Sequence, residues 1–227
     1  MFDKQSFDLF VEKNKDKNNK IINQVNSSID GRVCASFWLH TLLSLKSFKG
    51  NNCKVYLEIG TLLGGSISSL LQLDESNITS YYGIDIFEGY YGKEIKKGDW
   101  NKTSKDINGN NHLEFVKQNI NKFNKVNAKC ELIKGSSYDD NTVNKFKSKN
   151  VKVDILFIDG DHSEKGVTLD YHKYKEYVNN DGFILFDNYG DPNRWQGVKK
   201  GVDKIDFSKD GFSIIGQYGY SLLVHKN

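Results

Sequence analysis

The stretch VDILFIDGDHSEKGVTLDYHKYKEYVNNDGFILFDN, Val153 to Asn188, holds two apolar strands with a helix between them. Val153 to Ile158 is a β-branched run that stops at Asp159-Gly160-Asp161-His162, and Gly182 to Phe186 is a second run that stops at Asp187-Asn188. Strand, crossover helix and strand make a parallel βαβ unit. Parallel neighbours end on one edge of the sheet, so Asp159, Asp187 and Asn188 meet where open α/β sheets bind ligands. Three oxygen donors there suit a hard cation such as Mg²⁺ or Ca²⁺. The same residue types also cap helices and form turns, which is the competing reading.

Upstream, Lys54 to Ile59 (KVYLEI) is a dense apolar run that suits a buried central strand. It runs straight into Gly60-Thr61-Leu62-Leu63-Gly64-Gly65-Ser66, with a helix expected to about Leu73. A glycine-rich turn between strand and helix lets a ligand approach the backbone and aims N–H groups at it. The spacing is G-x-x-x-G-G and not the dinucleotide fingerprint G-x-G-x-x-G, and a purely structural turn fits it nearly as well. Ser80 to Asp85 is the next strand. Its terminal Asp85 is either a ribose-hydroxyl acceptor or an ordinary strand-end acid.

The ordered set LEIGTLLGGS (57–66), YYGID (81–85), IKGSSYDD (133–140), LFIDGDHSEKG (156–166) and FILFDN (183–188) resembles the class I S-adenosylmethionine-dependent methyltransferases. Within them it is most similar to the metal-dependent O-methyltransferases of the catechol and macrolide-sugar types. The resemblance covers roughly residues 33 to 225. It implies a Rossmann-like, doubly wound α/β sheet of seven strands, mostly parallel, closed by an antiparallel C-terminal hairpin. It also implies S-adenosylmethionine held by Glu58, Gly60, Thr61, Gly64, Gly65, Ser66, Asp85 and Asp159, with Ser136 and Ser137 beside the adenine. Asp159, Asp187 and Asn188 would bind Mg²⁺ or another divalent cation, and Asp159 and His162 would be catalytic. His162 is the best general base, three residues past Asp159 with a reference pKa near 6.5. A His here matches the sugar type, whereas the catechol type uses Lys; the pair Asp187-Asn188 matches the catechol type. Asp161 either supports the metal or orients His162. His40, His112, His172 and His225 receive no role.

The rest of the chain falls around this core. Residues 1 to 30 are polar with weak helical spacing at Phe7, Phe10, Val11, Ile21, Ile22 and Val25; they form a flexible arm, a lid or an oligomer contact, ahead of one methyltransferase domain over 31–227. Val33 to Phe48 has helical spacing. Phe87 to Asn111, with Tyr90, Tyr91 and Trp100, is a long polar connection, read as a substrate-facing insertion or a solvent-exposed one. His112 to Phe123 is an amphipathic helix, Lys129 to Lys134 a strand, and Arg194 to Ile205 a helix. Phe212 to Gln217 and Tyr220 to His225 flank Tyr218-Gly219, a hairpin signal.

Composition bounds the class. The chain has 227 residues, 37% hydrophobic and 13% aromatic, enough for one folded α/β domain. A net charge of +3, interspersed, argues for no nucleic-acid or membrane partner. Three isolated cysteines, Cys34, Cys53 and Cys130, read as buried small hydrophobes in a reducing, cytoplasmic setting. The function expected is methyl transfer from S-adenosylmethionine to a hydroxyl of a small acceptor, a sugar or a glycan or natural-product precursor, with homo-oligomerisation left open. Three readings compete: a metal-independent methyltransferase, a nicotinamide-binding oxidoreductase (which predicts the absent G-x-G-x-x-G), and a non-catalytic binding module.

Overall fold

The structure, a computed structural model, describes residues 2–29, 33, 35–50, 53–73, 76–88 and 112–227. The elements run α1 (Lys4–Asn26), α2 (Ser36–Phe48), β1 (Val55–Ile59), α3 (Gly65–Leu70), β2 (Ser80–Asp85), α4 (His112–Phe123), β3 (Lys129–Lys134), α5 (Asp140–Lys147), β4 (Val153–Ile158), α6 (Glu164–Tyr174), β5 (Val178–Phe186), α7 (Gln196–Val202), β6 (Phe212–Tyr218) and β7 (Ser221–Lys226). Most of the expected insertion, including Tyr90, Tyr91 and Trp100, lies outside the described residues, as do Asp30, Gly31 and Cys34.

The seven strands form one sheet in the order β3-β2-β1-β4-β5-β7-β6. The first five are parallel, and β7 is antiparallel to both β5 and β6. Alternate strand residues feed two cores. Tyr56, Tyr81, Phe157 and Leu185 face α1 to α4, while Leu57, Tyr82, Ile158 and Phe186 face α5, α6 and α7. Burial on both faces explains why these strands read as unbroken apolar runs. The doubly wound, mostly parallel sheet with a C-terminal antiparallel pair is the fold the sequence implied.

Two details differ from the sequence reading. Residues 1–30 hold a helix capped by Asp3, whose side chain accepts from Ser6 N–H. Phe7, Phe10, Ile21, Ile22 and Val25 are buried in the main core, and buried Asn18 donates to Thr41 Oγ1 of α2 at 3.1 Å. This helix is part of the packed body. The hairpin turn is Gly219-Tyr220, one residue later than expected, because Tyr218 pairs with Ser221. Gly219 has φ +55°, which a two-residue hairpin turn demands at its first central position.

Candidate active site

Sheet register builds the site. Gly60 N–H donates to Ile84 O, Asp159 N–H to Ile59 O, Asp187 N–H to Ile158 O, and Gly135 N–H to Asp85 O, all at 2.8–3.0 Å. These ladder bonds bring the ends of β1 to β5 to one level. The strand order reverses between β1 and β4, and open sheets bind ligands at such a switch point. A cavity of about 700 Å³ opens there. That volume is in the range of small-molecule and cofactor sites.

The glycine turn forms one wall. Gly60, Thr61, Leu62, Leu63, Gly65 and Ser66 line the cavity. Gly60 has φ +89°, and a Cβ on it would sit 2.0 Å from Asp159 O. The glycine therefore lets the β1 and β4 loops touch. Leu62 takes a left-handed φ of 46°, rare for a branched residue. Its N–H donates to Asp85 Oδ2 at 2.8 Å, and its carbonyl accepts from His112 Nε2 at 2.8 Å. His112 was assigned no role from sequence, yet it pins this turn from 50 residues away. Nothing in local spacing signals that contact.

Asp85 also lines the cavity. Its Oδ1 accepts from Phe87 N–H at 2.8 Å. Burial raises its carboxyl above the ordinary value against the pull of the Phe87 and Leu62 N–H groups. A carboxylate has about four lone-pair sites, so with the Phe87, Leu62 and Thr61 N–H groups beside it acceptor capacity remains for a ligand. Glu58 and Gly64 are the two expected cofactor residues that do not line the cavity. Glu58 is fully buried and accepts from Tyr56 OH at 2.9 Å; burial pushes its carboxyl well up. Gly64, at φ +79°, packs so closely on α4 that a Cβ would meet Ile120 at 2.9 Å.

Ser136 and Ser137 line the cavity beside Gly135. Ser137 donates to Asp170 Oδ1, and Tyr174 OH donates to Ser137 O at 2.8 Å. Asp170 is a buried acid of α6 whose Oδ2 has no hydrogen-bond partner among the described residues, and burial pushes it up to about 7.

Asp159, His162, Asp187 and Asn188 all line the cavity. His162 Nε2 lies 3.1 Å from Asp159 Oδ1. The imidazole stacks on Trp195, centroids 4.4 Å apart at 24°. Burial disfavours its charge, but the Asp159 bond and the Asp159 and Asp187 charges outweigh this and raise its pKa. Asp187 accepts from Ser221 Oγ at 2.9 Å. Burial and then the charge of Asp159 push Asp187 up to about 7. Asp161, of open role in the sequence, accepts from Ser163 N–H at 2.9 Å and from Ser163 Oγ at 3.1 Å, and so shapes the turn into α6.

Among the described residues, no group of three or more His, Cys, Asp or Glu side chains is arranged to hold a metal ion. Asp159, Asp187 and Asn188 supply two carboxylates and an amide instead. Their donor chemistry fits a hard cation. Asp187 is raised first by burial and then by the charge of Asp159, and a cation would offset both.

A family model described as "Methyltransferase domain" matches residues 57–189. The chain belongs to the methyltransferase domain family. The methyltransferase is 33% identical over 187 residues to the uncharacterized protein R132 of Acanthamoeba polyphaga mimivirus, covering 79% of this chain and 74% of that one. Its fold is shared with an O-methyltransferase of Bacillus cereus solved with S-adenosylhomocysteine (TM-score 0.59, 16% identity, 92% of this chain and 90% of that one). It is also shared with the calicheamicin methyltransferase CalS11 (0.58, 13%, 82% and 77%) and with the O-methyltransferase NovP (0.56, 14%, 83% and 77%).

The methyltransferase cavity has further lining that motifs did not flag: Trp38, Arg194, Trp195, Tyr220 and Ser221. Ser221 and Tyr220 arrive through the antiparallel hairpin, and Trp38 from α2. Their role depends on how distant segments close over the sheet edge, which no local pattern encodes.

Proposed function

We propose that this methyltransferase moves the methyl group of S-adenosylmethionine to a hydroxyl of a small, sugar-like acceptor. The observation that carries the reading is the single cavity shared by the glycine turn, Asp85 and the Asp159–His162–Asp187 cluster. S-adenosylmethionine supplies an electrophilic methyl on a sulfonium. The turn 60–66 would offer backbone N–H groups to its amino-acid end, Asp85 would accept from its ribose hydroxyls, and Ser136 and Ser137 would flank its adenine.

His162 would take the acceptor proton at Nε2, the nitrogen now facing Asp159. The raised pKa keeps this base strong, and Trp195 fixes the plane of its ring. Asp159, Asp187 and Asn188 would hold a divalent cation, whose charge lowers the pKa of a bound hydroxyl. Ser221 holds Asp187 in orientation. Holding acceptor and donor in line itself contributes several kcal/mol.

A metal-free methyltransferase is the second reading, favoured because no group of three His, Cys, Asp or Glu side chains among the described residues is arranged to hold a metal ion. Calorimetric titration with S-adenosylhomocysteine, with NAD as control, tests the class. Binding at about micromolar affinity is expected for the first and none for the second; no binding of S-adenosylhomocysteine would sink the reading. Activity that survives EDTA would select the metal-free version.

A further inference from the structure

Of the 32 lysines and arginines in the chain, only Arg32 and Arg194 are arginine. Among the described residues no lysine lines the cavity, and Arg194 does. Among the described lining residues, the one permanently charged cation is thus one of the chain's two guanidinium groups. Arginine and lysine are not equivalent: the planar guanidinium presents paired donors that match a carboxylate or phosphate edge to edge.

The surroundings leave that fork available. Asp85, Asp159, Asp161, Asp187 and Asp191 line the same cavity. Arg194 nevertheless forms no ion pair with a carboxylate among the described residues. The nearest acid in sequence, Asp191, spends Oδ1 on the N–H groups of Asn193 (2.9 Å) and Arg194 (3.1 Å), which fixes the turn carrying the arginine. Trp195 follows directly and backs His162. Two exposed aromatics, Tyr220 (53%) and Tyr138 (38%), also line the cavity and give flat faces for a ring. Without a cation, five aspartates would repel an acidic acceptor.

We infer that the acceptor is a hydroxylated small molecule bearing an oxyanion, phosphate or carboxylate, which Arg194 binds at the cavity mouth while its hydroxyl meets His162. This rests on the methyltransferase reading and narrows its substrate class.

The test loads wild type, Arg194→Gln and Arg194→Lys with S-adenosylhomocysteine, whose binding is measured first in each. Each is then titrated with glucose 1-phosphate, glucuronate and neutral glucose as probes. Binding of an anionic probe by wild type, weakened about tenfold or more in Arg194→Gln and partly kept in Arg194→Lys, supports the inference; which probe binds separates phosphate from carboxylate. Equal binding to wild type and Arg194→Gln, preference for glucose, or no anionic binding at all overturns it. Failure of S-adenosylhomocysteine to bind wild type is a different result, and brings down the underlying reading instead.

Discussion

Asp170 is a buried titratable group and His162 a half-buried one, and their environments set opposite tasks. Asp170 is fully buried, with one oxygen on Ser137 and the other unpartnered. Burial lifts it from 3.8 to about 7. The folded state then holds this proton more tightly than the unfolded chain. Its stabilisation is full below about pH 4 and is lost as pH rises through about 7, at most about 4 kcal/mol. Asp170→Asn should flatten the fall in unfolding midpoint between pH 5 and pH 8, without abolishing it, because Asp187 is raised in the same direction. An unchanged slope in denaturation curves would show that Asp170 does not carry the proton. His162 has a partner, so its charge is supported. His162→Ala should lower turnover about 10²- to 10⁴-fold while S-adenosylhomocysteine affinity stays within about twofold. Near-normal turnover in single-turnover assays would remove it as the base.

Glycines with positive φ look alike in sequence but not in the fold, and Gly60 and Gly211 separate two effects. Both are left-handed, at +89° and +77°. A Cβ on Gly60 meets the Asp159 backbone, whereas one on Gly211 meets nothing within 4 Å. Gly211→Ala should cost only backbone strain, about 1 kcal/mol, and leave ligand binding intact. Gly60→Ala should push the turn off β4 and weaken S-adenosylhomocysteine binding well beyond that, read by titration and unfolding midpoint together; matched losses in the two variants would refute the packing account. The turn itself was legible because a Gly-rich break between an apolar run and a helix is a local signal. The βαβ unit over 153–188 was legible for the same reason, as was α4, whose apolar residues recur at helical spacing. The packing of α1 was not: its apolar residues are diluted by lysine and asparagine, and only the facing α2 shows they are core. Phe7, 1% exposed and 4.4 Å from the Tyr218 ring, is the check on that helix. Phe7→Ala should cost about 3–5 kcal/mol of stability, whereas a lid residue would instead alter turnover with stability unchanged. His112 and Trp195 were equally hidden, since each meets residues far away in sequence, Leu62 and His162.

At the scale of the molecule, the cavity sits where the two halves of the sheet diverge, so a ligand there touches the ends of β1, β2, β4 and β5 at once. Binding to the folded state alone stabilises it by mass action, about 2.7 kcal/mol at a hundredfold excess over Kd. For a domain of this size that is a rise in melting temperature of roughly 5–10 °C with S-adenosylhomocysteine. A cation at Asp159 and Asp187 would act separately, by relieving the repulsion through which Asp159 raises Asp187. Asp187→Asn removes that repulsion permanently. The variant should therefore melt higher than wild type in EDTA, show no further rise with Mg²⁺, and keep the full rise with S-adenosylhomocysteine. Scanning fluorimetry with each ligand alone and both together reads all three outcomes. A Mg²⁺ shift that survives in Asp187→Asn would place the cation elsewhere, and a lost S-adenosylhomocysteine shift would mean that the carboxylate edge and the glycine turn are one cooperative unit, not two neighbouring sites.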